Sequence, residues 1–153
     1  MRTAIARRQI NPPLGVFLAG YGGRTRGCDN IHDDLELTVL LLEKGENRAL
    51  LITADLLGWG RELVEKIKSN LGDALSISPE MIFITASHTH SAPATIQKMD
   101  GLWKVHEPYV EMVMTATMEA AREAEVKLKE TTILLGKEEY QFGINRRLVK
   151  NGY

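Results

Sequence analysis

Two histidines one residue apart, His88 and His90, stand in the stretch Ala86-Ser-His-Thr-His-Ser-Ala-Pro93. Neutral imidazole is a good zinc donor, and a catalytic zinc takes three protein ligands and keeps one position for water. Such a metal lowers the pKa of its water and polarises a carbonyl, which is what amide hydrolysis needs. In extended backbone, side chains two apart point to the same side, about 6.5 Å apart along the strand. The pair can therefore bind one metal together, or one histidine can bind it while the other faces a substrate. Alone, the same spacing also suits two polar residues hydrogen-bonded where a strand becomes a loop. Placement favours chemistry. Thr85, Ser87, Thr89 and Ser91 make a polar run at the end of an apolar stretch, and strand ends in α/β folds are where ligand sites gather.

The remaining donors are few. Cys28 is the single cysteine, so neither an intrachain disulfide nor a cysteine-rich zinc site can form. His32-Asp33-Asp34 reads as a cap or turn before Leu35, and His106 leads into a helix. Gly20 sits in a glycine-punctuated loop with Gly22, Gly23 and Gly27. Arg146, beside Arg147, reads by itself as a solvated basic pair.

The elements that position these residues follow from periodicity. Leu14 to Tyr21 reads as a short strand. Leu35 to Glu43 and Ala49 to Leu56 read as an antiparallel pair joined by Lys44-Gly-Glu-Asn47, and their continuous apolar character predicts cover on both faces. Leu63, Val64, Ile67 and Leu71 predict an amphipathic helix closed by Gly72. Ser78-Pro79-Glu80 is a turn, and Met81 to Thr85 a further strand. Strand, helix, strand implies a βαβ unit with Ile82–Thr85 parallel to Ala49–Leu56. A long helix is expected over Glu107 to Lys129, with Pro108 in its first turn. Met112, Met114 and Met118 are packing residues on it. Thr131 to Leu135 starts another strand reaching towards Phe142. The fold class is α/β, a mixed sheet with flanking helices, here an incomplete portion of a larger α/β catalytic domain.

Composition narrows the partners. A chain of 153 residues, 44% hydrophobic and 25% charged, has the profile of one globular domain. Its 19 basic and 20 acidic residues leave a net charge of -1, which gives nucleic acid no electrostatic footing. The stretch Gly22-Gly-Arg24 lacks the interleaved aromatics of an RNA-binding segment. No run reaches the ~20 apolar residues of a transmembrane helix. Met1 to Arg8 is basic but has no apolar segment behind it, so no signal peptide is read and the default address is cytoplasmic.

Several landmarks fall in one order: Ile10-Asn-Pro-Pro-Leu-Gly15, Gly20-Tyr21, Ile31-His-Asp-Asp-Leu35, Ala54-Asp55-Leu56, Ser87-His-Thr-His-Ser-Ala-Pro93 and Ile144-Asn-Arg146. In that order they resemble the catalytic domain of the neutral (non-lysosomal) ceramidases, and they span nearly the whole of residues 1–153. The resemblance implies a zinc-dependent amidohydrolase that cleaves the amide of N-acylsphingosine or a related lipid amide. It implies His88 as a zinc ligand, His90 at the metal facing the substrate, Gly20 bordering the head group by its backbone, and Arg146 reaching into the same site. Ala92 stands where the family usually has glycine. The family's other zinc ligands, a histidine, a glutamate and a tyrosine, lie downstream of its Asn-Arg landmark. The chain is thus expected to be the N-terminal part of such a domain, inactive alone, self-associating or working with a partner that supplies the rest. The alternatives are a non-catalytic α/β module serving a partner chain, or a different metal hydrolase with a small substrate.

Overall fold

The computed structural model describes residues 1–96 and 103–143. Strand β1 runs Arg2–Gln9, β2 Glu36–Lys44 and β3 Asn47–Ala54; helix α1 spans Arg61–Leu75, β4 Ile82–Ala86, α2 Glu107–Val126 and β5 Lys129–Glu130. Across the sheet the order is β4-β3-β2-β1-β5. Strands β3 and β4 pair in parallel, Leu50 opposite Ile82 through Ala54 opposite Ala86, with α1 as the crossover. The other pairs are antiparallel. This is the expected α/β mixed sheet, with the β2–β3 hairpin and the βαβ unit in the expected places.

Both helices cover one face. Leu63, Ile67, Leu71 and Leu75 line the buried side of α1, at the three- and four-residue spacing of one helical stripe. They join one core with Leu37, Val39, Leu41, Leu50, Ile52 and Ile82 from alternate strand positions. Each such Leu or Ile contributes about 1.5–3 kcal/mol when fully buried. Helix α2 packs Ala116, Ala120, Ala121 and Ala124 inward, and β1 meets it with Ala4 and Ala6. Small residues on both sides let helix and sheet approach closely. Met112, Met114 and Met118 pack partly buried against this core, as expected.

The other face is open, which corrects the reading of β2 and β3 as covered on both sides. Ile5 faces Leu40, Leu40 faces Leu51, and Leu51 faces Phe83, so one apolar row crosses four strands. Ile5 is 57% exposed, Leu51 41% and Phe83 55%. Continuous apolar character did mark two apolar faces; only one of them has a layer on it among the described residues.

Other expectations also change. Residues 14–21 are not a strand: the segment turns, and only Leu18 makes an isolated bridge, to Pro93. Pro12 and Pro13 ahead of it and the positive φ of Gly15 and Gly20 prevent a regular ladder. Strand β1 was not expected, because its inward residues are mainly Ala4 and Ala6 and arginines surround them. The strand after α2 reduces to Lys129 and Glu130 on the edge of β1, and Ile133, Leu134, Leu135, Tyr140 and Phe142 lie exposed without strand pairing. Gly72 does not end α1. The helix runs to Leu75, and Ser76 caps it in the left-handed region at φ 53°. Gly72 carries the returning chain instead: a Cβ there would lie 3.0 Å from the Ile77 oxygen, and the Ile77 amide donates to the Gly72 carbonyl at 3.1 Å.

Candidate active site

The site begins where β3 and β4 end side by side. After Ala54 the chain continues as Asp55-Leu56-Leu57, and after Ala86 as Ser87-His88. The Ser87 amide donates to the Ala54 carbonyl at 3.0 Å, extending the parallel ladder by one step. Both strands therefore deliver their C-terminal ends to one place, the position where open α/β sheets build their ligand sites.

His88 does not continue the strand. Its φ of 61° puts it in the left-handed region, a conformation that few non-glycine residues adopt and that costs energy. Extended backbone is therefore not what brings the two histidines together. The turn at His88 does so, leaving the His88 and His90 rings 5.2 Å apart between centroids at an interplanar angle of 75°. Nδ1 of His88 lies 2.6 Å from the Leu57 carbonyl oxygen. A carbonyl only accepts, so Nδ1 carries the proton and a neutral ring keeps its lone pair on Nε2. A backbone acceptor on one ring nitrogen is the usual partner of a histidine whose other nitrogen ligates a metal. The ring is exposed at the chain surface and so can be reached.

His90 is half-buried and hemmed in. The Ala19 amide donates to the Ala92 carbonyl at 2.8 Å, and Leu18 bridges Pro93, so residues 18–20 are zipped to 92–93. This sets Gly20 directly on the histidine. Gly20 has φ 100°, and a Cβ there would fall 2.4 Å from Cγ of His90. Glycine is required twice, by backbone angle and by the ring's approach. Ala92 is buried, with no positive φ at that position, so the loop does not need glycine there.

Three neighbours escaped sequence reasoning as part of the site. Tyr21 meets His90 edge-on, ring centroids 4.9 Å apart at 73°. Arg24 lies over the Tyr21 ring at 5.0 Å from its centroid and donates to the Ala19 carbonyl at 2.8 Å. Tyr21 was visible only as half of a landmark. Leu57 contributes through its backbone and had no side-chain signal to read.

The structure thus brings together His88, His90 and Gly20. Arg146 lies outside the described residues. The other histidines are occupied elsewhere: His106 caps α2, its Nδ1 accepting from the Tyr109 amide at 3.3 Å, and exposed His32 pairs with Asp33 at 3.3 Å. Cys28 points its Sγ to the Pro13 carbonyl at 3.5 Å. Among the described residues no group of three or more His, Cys, Asp or Glu could hold a metal ion. The donor set therefore fits zinc as one or two ligands and does not close a site. No helix among the described residues is long and apolar enough to cross a membrane.

No protein-family model matches the chain, and no curated protein does. Solved structures do. The fold is similar to that of the neutral ceramidase from Pseudomonas aeruginosa, with TM-score 0.75 and 17% identity, covering 84% of this chain and 22% of that one. It is also similar to a ceramidase complexed with C2, with TM-score 0.72 and 16% identity, covering 84% of this chain and 21% of that one. The likeness establishes a shared α/β fold that occupies a minor part of the ceramidase chain.

Proposed function

We propose that this chain carries one side of a zinc amidohydrolase site of the ceramidase type. The observation that supports it most is His88 itself. At the joint end of two parallel strands, its Nδ1 proton is committed to Leu57, and among the described residues its Nε2 makes no hydrogen bond, with the His90 ring alongside. Similarity of fold to two ceramidase structures supports the same reading. When bound, zinc would supply a polarised amide carbonyl and an activated water. His88 would hold the metal through Nε2. His90, kept in place by Gly20, would face the substrate's polar head and hydrogen-bond to it, while the Gly20 backbone borders the same group. Arg146 would reach into that site with its planar fork of donors, which suits an oxygen-rich head group. The substrate class is an N-acylated sphingoid base or a related lipid amide, and the remaining zinc ligands must come from outside the described residues.

The test is hydrolysis of a fluorogenic N-acylsphingosine by the chain combined with a segment or partner that supplies a further histidine, glutamate and tyrosine. Zinc-dependent turnover that is lost in His88→Ala is the expected result. Turnover unaffected by that substitution would end the proposal. The open row Ile5, Leu40, Leu51 and Phe83 favours a second reading, an α/β module that works with a partner chain without catalysis of its own. A stable complex with no zinc-dependent turnover would select it.

A further inference from the structure

We infer that Tyr21, held in place by Arg24, is the positioning residue of His90. The inference rests on the reading of His90 as the substrate-facing histidine, but its geometry stands by itself. Among the described residues, three groups bound the His90 ring: Gly20 beneath it, the His88 ring at 5.2 Å and the Tyr21 ring at 4.9 Å. Two of them are fixed by backbone. Gly20 is tied through the 19–92 hydrogen bond, and His88 through its bond to Leu57. Tyr21 is different, since it is 59% exposed on a glycine-rich loop and, among the described residues, lies outside the hydrophobic core.

Arg24 supplies the missing restraint. Its guanidinium is anchored on the Ala19 carbonyl at 2.8 Å and lies 5.0 Å from the Tyr21 centroid. A cation over an aromatic face is attracted by the ring's negative quadrupole, and edge-on aromatic pairs are attracted by the same charge pattern. Arg24, Tyr21 and His90 thus form a chain of restraints that begins on backbone and ends on the imidazole. Neither interaction uses the tyrosine hydroxyl, so phenylalanine should serve at position 21 and alanine should not.

The experiment is an imidazole C–H correlation spectrum of the labelled full chain, whose four histidines can each be assigned by substitution. In Tyr21→Ala the His90 signals should move by several linewidths, with a smaller shift at His88, while His32 and His106 stay in place and report an intact fold. Tyr21→Phe should restore the His90 signals, and Arg24→Met should move them in the same direction as Tyr21→Ala. Unmoved His90 signals in Tyr21→Ala overturn the inference. If that variant does not fold, Arg24→Met decides by the same criterion, since it deletes no ring. In the complemented enzyme, Tyr21→Ala should lower kcat about tenfold with KM nearly unchanged, the pattern of a lost transition-state contact. Tyr21→Phe should recover it. His90 shifts in the variants, together with a complemented wild-type chain that never hydrolyses an amide, would remove the proposed function and leave this inference standing.

Discussion

Nδ1 of His88 sits 2.6 Å from the Leu57 carbonyl oxygen, joining the ends of two parallel strands through a side chain and a backbone group. That contact fixes the ring's orientation and assigns its proton in one step. It also accounts for the left-handed backbone at His88, since the bond to Leu57 and the polar surroundings hold a conformation that the chain would otherwise avoid.

Gly20 is the least replaceable residue around the histidines. Gly20→Ala adds a methyl group 2.4 Å from His90 Cγ at a residue with φ 100°. We expect a loss of about 1–3 kcal/mol in stability, measured by denaturant unfolding, from the strained φ/ψ alone. The His90 signals should shift as well, because the ring must move to admit the methyl group. Wild-type stability together with unshifted signals would show that the loop is not packed on the ring.

Acid should weaken the fold at the far end of the sheet. Glu43, nearly buried, accepts from Arg2 and Arg48, and Arg48 also reaches Glu125 at 2.8 Å. The hydrogen bond from Arg2 holds the Glu43 carboxyl below its ordinary value, with Arg48 adding to it against the opposing effect of burial. A depressed folded-state pKa stabilises the protein above the unfolded value of about 4.3, and that stability is lost as pH falls through the folded pKa. Between about pH 6 and pH 3, Glu43→Gln should therefore lose less stability than the wild type. Parallel declines in the two proteins would remove Glu43 from the account.

The uncovered face predicts association. Ile5, Leu40, Leu51 and Phe83 make one register-matched apolar row, and exposed apolar surface of this kind drives contact between chains. Light scattering of the isolated chain at micromolar concentration should show species larger than a monomer. Leu51→Thr with Phe83→Thr should reduce them while leaving the helical signal intact. A wild-type monomer under these conditions would contradict this prediction.

How much of this was legible depends on how local each signal is. The β2–β3 hairpin and the βαβ unit announce themselves by apolar runs, a glycine turn and a helical stripe within one continuous stretch, from Leu35 to Thr85 by number. Strand β1 pairs Arg2 with Glu43 and Ala6 with Val39. Its pairing is distant, and alanine is too small to announce an inward face. The open sheet face was misread because a run of leucines records only that both faces are apolar. At the site, the histidine pair and Gly20 were visible as residue types. Their contact was not, because it depends on the Leu18–Pro93 bridge between segments far apart in sequence. Arg24 looked like part of a basic glycine loop until the structure laid it on Tyr21.

The central claim is that His88 offers zinc one well-oriented nitrogen in a site that these residues do not close. Zinc affinity of the tag-free chain, measured by competition with a chelating dye, tests it most directly. A closed four-ligand site is worth about 10–16 kcal/mol, and one or two histidines open to water should recover only a minor part of that. We predict weak binding that dialysis against chelator removes and that His88→Ala abolishes, with His32→Ala and His106→Ala without effect. Stoichiometric zinc that survives chelator, or weak binding indifferent to His88→Ala, would contradict the account.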